Sequence, residues 1–183
     1  MFQSIFVPFL SIGLAELLDK SQLMVILLAS RTKKQKRLFS GVMLAFIIVD
    51  GSAILAGSLL TGLIQSLYIK LIAGLGFIIF GILSLRKSSE EEQKYVVMEN
   101  PFLSGLGVIF LSEWGDKTQI ASGLFATQYS PLPVFIGTIL ALGLLSLMAI
   151  YFGKFISGKF EKRIINKVSG IIFLLIGFLF LFF

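Results

Sequence analysis

Two short stretches of the chain decide its architecture: residues 16–22 read ELLDKSQ, and residues 113–119 read EWGDKTQ. Four of the seven positions are identical, and a serine in the first stretch corresponds to a threonine in the second. Each stretch lies inside a long apolar segment, so its charged side chains do not belong to an ordinary polar loop. Self-similarity at a fixed offset, here 97 residues, predicts that the chain consists of two repeats.

The composition around these stretches is that of a membrane protein. Of the 183 residues, 56% are hydrophobic and 14% are charged, whereas soluble domains have about 25% charged residues. The mean hydropathy is +0.95. Continuous apolar runs recur at close to the ~20 residues that a helix needs to cross a bilayer. We predict an all-α membrane protein with six transmembrane helices, at about 2–29, 40–62, 68–85, 101–126, 132–153 and 165–183.

Glycines outside the two stretches also repeat, with an offset of 96 residues. The first half has Gly41, Gly57, Gly62, Gly74 and Gly81 where the second half has Gly137, Gly153, Gly158, Gly170 and Gly177. Such glycines allow helices to approach closely. Because each half has three helices, an odd number, we predict two inverted repeats, as in many secondary transporters. The first repeat is predicted at residues 1–86, a polar cytoplasmic linker at 87–100, and the second repeat at 101–183.

The distribution of basic residues predicts the orientation in the membrane. The net charge is +6, and thirteen of the sixteen lysines and arginines lie in alternate loops. They are Arg31, Lys33, Lys34, Lys36, Arg37, Arg86, Lys87, Lys94, Lys154, Lys159, Lys162, Arg163 and Lys167. The positive-inside rule places these loops in the cytoplasm and both termini outside. We expect these residues to be solvated or to contact anionic lipid head groups, and we expect no nucleic acid partner.

The residue types that the chain lacks exclude several chemistries. Cysteine and histidine are absent, which excludes disulfides, thiol redox chemistry, haem ligation and imidazole metal sites. We therefore expect no prosthetic group. The first apolar segment carries charges within it and no cleavage site, so it is expected to remain in the mature protein. The compact chain suits a multi-pass protein of a prokaryotic plasma (inner) membrane.

Four carboxylates in the two stretches form the candidate cation site: Glu16, Asp19, Glu113 and Asp116. Ionisable groups near mid-membrane cost about 2.5 to 3.5 kcal/mol each, which favours a functional role. On a continuous helix, positions i, i+3 and i+4 share a face, so each stretch presents two carboxylates and a lysine together. If pseudo-symmetry joins the two faces, these oxygens converge with the amides of two further residues, Gln22 and Gln119. Such ligands suit Ca²⁺, Mn²⁺ or Mg²⁺ rather than Zn²⁺ or Cu⁺.

The charges of this site favour exchange of a cation for protons. Four carboxylates and two ammonium groups sum to −2, which one divalent cation neutralises. Crowded, desolvated carboxylates favour their protonated form, so an empty site should hold protons that a metal displaces. A gating or proton-coupling role is predicted for five further polar residues: Asp50, Lys20, Lys117, Ser21 and Thr118. Gly115 can loosen its helix so that backbone carbonyls face the ion.

Three other interpretations stay open at this point. Glu16 with Lys20, and Glu113 with Lys117, have the favoured Glu-to-Lys spacing of four, so each pair can neutralise itself and serve only helix packing. A passive divalent cation channel uses similar rings of acids. An intramembrane aspartyl protease needs two aspartates that share a proton, but the lysine after each aspartate keeps both ionised and argues against this reaction.

The two stretches resemble a known signature. Residues 113–118 match E-x-G-D-[K/R]-[S/T] in full, and residues 16–21 match it except for Leu18 in the glycine position. This signature resembles that of the transmembrane protein 165 family of divalent cation/proton exchangers, which includes bacterial manganese exporters. The similarity extends over essentially the whole chain, since that family also has two three-helix repeats with one motif each. The missing glycine affects the backbone geometry expected for the first motif.

The resemblance implies a transporter rather than an enzyme. The implied ligands are Glu16, Asp19, Glu113 and Asp116, with Gln22 and Gln119 as helpers. We predict a secondary transporter that exports Mn²⁺, with Ca²⁺ as the alternative, from the cytoplasm in exchange for protons by alternating access. The direction rests on the resemblance. The expected partners are the divalent cation, protons and the lipid bilayer, and a homodimer stays open.

Overall fold

A computed structural model describes residues 2–17, 19–63, 66–86, 99–156 and 162–182 of the chain, and these residues form helices joined by short turns. Eight helices lie within the described ranges, and no strand does. They are α1 (Phe2–Glu16), α2 (Lys20–Ser30), α3 (Gln35–Leu63), α4 (Ser66–Arg86), α5 (Pro101–Glu113), α6 (Lys117–Gln128), α7 (Pro131–Ile156) and α8 (Lys162–Phe182).

Four of the predicted membrane segments correspond to single helices, α3, α4, α7 and α8. The two remaining segments, predicted as continuous over 2–29 and 101–126, are each divided into two shorter helices. The expectation of an unbroken helix through the two repeated stretches is therefore wrong. Asn100 and Pro101 start α5 as the sequence indicates, because the Asn100 side chain accepts a hydrogen bond of 3.0 Å from the backbone amide of Phe102. Most of the predicted linker, residues 87–98, lies outside the described residues.

Two of the described helices have the length of a membrane span, and the exterior of the described part is largely apolar. Gln35–Thr61 and Pro131–Tyr151 are each long and apolar enough to cross a bilayer alone. Large apolar side chains cover much of the exterior, and those of Leu59, Leu111 and Leu132 are each more than half exposed. Contiguous apolar surface is unfavourable in water and favourable in lipid. The structure is accordingly that of an all-α membrane protein.

The helices of each half pack mainly against helices of the other half. Helix α3 packs against α5 and α6, and α7 packs in the same way against α1 and α2. Helix α4 packs along α8. The two motif-containing helix pairs are therefore each held against a long helix from the opposite half of the chain.

Repeated glycines form the closest of these contacts. A Cβ atom added at Gly41 would lie 2.1 Å from the carbonyl oxygen of Phe102, and one added at Gly137 would lie 2.3 Å from that of Ile5. These distances are too short for any side chain, so the sites require glycine and bring backbones into contact. The equivalents Gly62, Gly153 and Gly158 lie outside the residues whose surroundings the structure describes.

Repeated glycines also lie at the contact between α4 and α8, and their pairing shows the relative direction of the two helices. A Cβ atom at Gly74 would lie 3.0 Å from the carbonyl oxygen of Gly177, and one at Gly81 would lie 2.8 Å from that of Gly170. Because the earlier glycine of α4 contacts the later glycine of α8, the two helices run antiparallel.

An aromatic cluster joins α4, α6 and α8. The ring of Phe77 lies with its centroid 4.6 Å from that of Phe125, 5.7 Å from that of Phe173 and 5.6 Å from that of Phe180. Tyr129 extends the cluster, with its centroid 5.9 Å from that of Phe180. The helices at the equivalent positions of the repeats, α8 and α2, make little or no contact with each other through their described residues.

Candidate cation site

The first repeated stretch interrupts a helix. Helix α1 ends at Glu16, and the backbone amide of Asp19 donates to the carbonyl oxygen of Glu16 at 3.1 Å. Asp19 is the N-cap of α2, since its carboxylate accepts a hydrogen bond of 2.8 Å from the backbone amide of Lys20. Aspartate is among the residues favoured at this position because it satisfies an amide that has no partner within the helix. The break thus follows from the aspartate at the centre of the motif.

The second stretch makes the same break with a glycine in the turn. Helix α5 ends at Glu113, the amide of Asp116 donates to the Glu113 carbonyl at 3.0 Å, and Asp116 is the N-cap of α6. Gly115 has a φ of +79°, in the left-handed region that side chains disfavour. Its amide donates to Oε1 of Gln119 at 2.6 Å. The glycine of the signature is explained by this conformation, and the equivalent Leu18 lies outside the described residues.

Carboxylates from both halves meet at the two breaks. One oxygen each from Glu16, Asp19 and Asp116 lie within 4.8 Å of one another. The side chain of Glu16 is fully buried, whereas those of Asp19 and Asp116 are 16% and 15% exposed. Glu113 lies outside this group of three but is also buried, within electrostatic range of Glu16 and Asp116. The structure therefore brings three predicted ligands together, with the fourth nearby.

The two lysines of the motifs pair across the halves. The ammonium of Lys20 lies 3.4 Å from Oδ1 of Asp116, and the ammonium of Lys117 contacts Oδ2 of Asp19. The Glu-to-Lys pairs that the spacing of four allows are absent among the described ion pairs. Each lysine instead holds the aspartate of the opposite motif, so the ion pairs link the two half-helix breaks.

Hydroxyl groups fix one oxygen of each glutamate. Ser21 donates to Oε2 of Glu16 at 2.8 Å, and Thr118 donates to Oε2 of Glu113 at 3.3 Å. Ser21 and Thr118 lie in the first turn of the helix that follows each break, so each glutamate is hydrogen-bonded to the start of the next helix. This contact accounts for the serine or threonine in the last position of the signature.

Three buried carboxylate oxygens are left without a hydrogen-bond donor among the described residues. They are Oε1 of Glu16, Oε1 of Glu113 and Oδ2 of Asp116. A buried acceptor without a partner costs about 1 to 3 kcal/mol, and more when it is charged. Oxygen atoms of this kind are the ligands that Mn²⁺, Ca²⁺ and Mg²⁺ prefer. The site therefore has the chemistry to bind a hard divalent cation.

The two glutamines that were predicted as helpers differ in their contacts. Gln119 uses both ends of its amide, since Oε1 accepts from Gly115 and Nε2 donates to the carbonyl oxygen of Val49 at 3.1 Å. Gln22 is buried, and neither its amide oxygen nor its nitrogen has a partner among the described residues. Gln22 is thus the glutamine with coordination capacity left.

Asp50, predicted as a gate or proton-coupling group, lies on α3 and is 2% exposed. Its Oδ1 accepts a hydrogen bond of 2.8 Å from Ser122. Sequence reasoning missed Ser122, although it follows Thr118 by four residues and so shares its face of α6. Trp114 is exposed and packs on Phe110, with ring centroids 5.0 Å apart.

Comparisons with known proteins agree with this chemistry. The family model described as divalent cation/proton antiporter GDT1 matches residues 4–92 and 101–183. A provisionally named manganese exporter of Vibrio cholerae is 28% identical over 169 residues, which cover 91% of this chain and 84% of that protein. A GDT1-like protein of Schizosaccharomyces pombe is 24% identical, with 91% of this chain and 85% of that protein covered. GDT1-like protein 5 of Oryza sativa is 34% identical over 76 residues, or 42% of this chain and 33% of that protein. No solved structure gives a significant match.

Proposed function

Because the chain belongs to the divalent cation/proton antiporter GDT1 family, we propose that it exports Mn²⁺ from the cytoplasm in exchange for protons. Membership of the family makes the chain a cation transporter, in agreement with the resemblance of its two motifs. The identity of the ion, the coupling to protons and the direction of transport are the content of the proposal.

The observation that carries the proposal is the set of buried carboxylate oxygens without donors on Glu16, Glu113 and Asp116. Together with Asp19, these groups supply four carboxylates against the two paired lysines, so one divalent cation neutralises the site. Oxygen ligands favour Mn²⁺ and Ca²⁺ over softer metals. The similarity to the provisionally named manganese exporter of Vibrio cholerae supports Mn²⁺ as the first choice.

The exchange for protons follows from the same charges. When the cation leaves, the buried carboxylates repel one another and lose little by protonation, so protons replace the metal. When the cation returns, it binds only to the deprotonated carboxylates and releases those protons. Metal and protons thus compete for one site, which is the minimum that an antiporter requires.

Alternating access requires the site to open to each side of the membrane in turn. We propose that the two halves are inverted repeats, with both termini outside, and that one half rocks against the other around the motif breaks. The antiparallel crossing of α4 and α8 and the packing of each motif on the opposite half support this arrangement. The basic residues between α2 and α3 are exposed, as a cytoplasmic loop at a plasma membrane requires.

The proposal is tested in proteoliposomes with an acidic lumen and radioactive Mn²⁺ outside. We expect uphill Mn²⁺ uptake with matching proton efflux, stopped by a protonophore and lost in Glu113→Gln. Ser146→Ala, which removes a buried hydroxyl outside the motifs, should transport like the unchanged protein. Ca²⁺ and Mg²⁺ in competition then establish the selectivity. Downhill Mn²⁺ flux that ignores the pH gradient would instead identify a passive channel.

A further inference from the structure

Asp50 carries a buried carboxyl group that is not one of the four predicted cation ligands, Glu16, Asp19, Glu113 and Asp116. Asp50 is in the middle of α3, and the two described ion pairs use Lys20 and Lys117 with the motif aspartates, so neither lysine neutralises it. Its described hydrogen-bond partner is the hydroxyl of Ser122 on α6. A hydroxyl can donate to an ionised carboxylate and can also accept from a protonated one. The pair can therefore accommodate Asp50 with or without a proton.

The charged groups that act on Asp50 are mainly acidic. The charged side chains that the structure describes on the helices packed against α3 are Glu113 at the end of α5, Lys117 at the start of α6, Lys20 at the start of α2 and Lys70 on α4. Asp116 and Asp19 lie directly before α6 and α2. Helix α7 has no charged residue between 131 and 151. The lysines at the breaks pair with aspartates and Lys70 is exposed, whereas Asp116 and Glu113 interact electrostatically with Asp50.

This electrostatic environment changes with the state of the cation site. Without a cation, Asp50 and the carboxylates of the motifs compete for protons, and each motif carboxylate that stays ionised favours a proton on Asp50. A bound divalent cation cancels that charge and makes the ionised form of Asp50 less costly. Protonation of Asp50 and binding of a metal ion by the motif carboxylates therefore oppose each other.

A second path connects the two places through α6. Asp116 caps the start of α6, and Ser122 lies less than two turns further along the same helix. Gln119, between them, joins the Gly115 turn to the carbonyl of Val49, the residue before Asp50. A movement of α6 on cation binding must therefore change the contacts of Asp50.

The other half of the chain has no equivalent of this pair. At the corresponding positions stand Ser146 in place of Asp50 and Val25 in place of Ser122. Ser146 is fully buried, and its hydroxyl has no partner among the described residues. Neither residue titrates, so the feature is confined to one half.

We propose that Asp50, positioned by Ser122, is a proton-binding site of the exchanger that is separate from the cation ligands. It takes up a proton when the cation leaves and releases it when the cation binds. The inference rests on the proposed function, since it concerns the same exchange. It assigns one of the exchanged protons to a residue that does not touch the metal.

The test measures protons released per Mn²⁺ bound by the purified protein, by titration calorimetry in buffers of different ionisation enthalpy at several pH values. Asp50→Asn should release about one proton fewer than the unchanged protein in the range where Asp50 titrates. Its Mn²⁺ affinity should fall far less than that of Glu16→Gln. Ser146→Ala is the matched control and should release as many protons as the unchanged protein.

A second variant keeps the test independent of any folding defect in Asp50→Asn. Ser122→Ala removes the donor to the ionised carboxylate, so the pH dependence of proton release should move to higher pH. Equal proton release by Asp50→Asn and the unchanged protein at every pH would overturn the inference, and so would loss of Mn²⁺ binding equal to that of Glu16→Gln. Absence of Mn²⁺ binding by the unchanged protein would instead refute the proposed function.

Discussion

The motif breaks at residues 16–22 and 113–119 share their framework and differ in their surroundings. In both, one helix ends at a glutamate and the next begins after an aspartate. In both, a hydroxyl donates to the glutamate, and the lysine forms an ion pair with the aspartate of the other motif. In the second break Gln119 is bonded on both sides, whereas Gln22 of the first has no described partner. The repeated sequence thus accounts for the backbone conformation that the two breaks share, and the neighbouring helices account for the different contacts of equivalent side chains.

The lysines show the same contrast. The side chain of Lys20 is 32% exposed, whereas that of Lys117 is 16% exposed. The aromatic cluster around Phe77 likewise joins α4 to α6, without a counterpart between the described parts of α8 and α2. Equivalent side chains of the two motifs therefore differ in exposure, and substitutions at equivalent positions should not have equal effects.

The largest difference is expected between Asp19→Ala and Asp116→Ala. Both should reduce Mn²⁺ transport at least about 100-fold, because even outer-shell partners of a metal are worth 10- to 100-fold. Asp19→Ala leaves the more buried Lys117 without its partner, at a cost of about 3 kcal/mol. Asp116→Ala leaves the partly exposed Lys20, at a cost of about 1 kcal/mol. Thermal unfolding in detergent without metal compares the two variants, and equal losses of stability would show that the different exposures of Lys20 and Lys117 do not matter.

A smaller difference is expected between Gln119→Leu and Gln22→Leu. The first breaks the bonds to Gly115 and Val49 and should destabilise the protein by about 1 to 3 kcal/mol. The second removes a buried amide without a described partner, so the metal-free protein should keep its stability or gain about 1 kcal/mol. Thermal unfolding without metal measures both effects. Destabilisation by Gln22→Leu as large as that by Gln119→Leu would contradict the contrast.

The smallest effect is expected from Gly115→Ala. A side chain at a φ of +79° costs about 1 to 2 kcal/mol. Gly107, on α5, is the matched control, because a Cβ atom there would meet nothing within 4 Å. Gly107→Ala should leave stability unchanged or raise it by up to about 1 kcal/mol. Unfolding midpoints of the two variants decide the matter, and similar midpoints would mean that the turn tolerates a side chain.

The sequence alone predicts the helical class and the family, because long apolar runs and a repeated charged motif survive without any knowledge of packing. It does not predict the two helix breaks, since hydropathy averaged over Phe2–Glu16 and Lys20–Ser30 reads as one apolar run. An aspartate followed by a new apolar stretch is nevertheless an N-cap signal that points to the break.

The candidate site is predictable in its members but not in its pairing. The spacing of four favours Glu16 with Lys20, yet the structure pairs Lys20 with Asp116, because the break removes the helical face that the spacing assumes. The different roles of Gln22 and Gln119 are invisible in the motifs, where both occupy the same position. They depend on tertiary contacts, because Gln119 donates to the backbone carbonyl of Val49 on α3, whereas Gln22 has no described partner.

Helix α1 meets the glycine that fits it most closely, Gly137 of α7, only after more than a hundred further residues have been synthesised. At a synthesis rate of about 5 to 20 residues per second, that contact becomes available on the order of ten seconds after α1 has been made. For most of this interval Asp116 and Lys117 have not yet been synthesised, so Lys20 and Asp19 are in the bilayer without their ion-pair partners. The ion pairs of the first motif can therefore form only after the second motif has been synthesised.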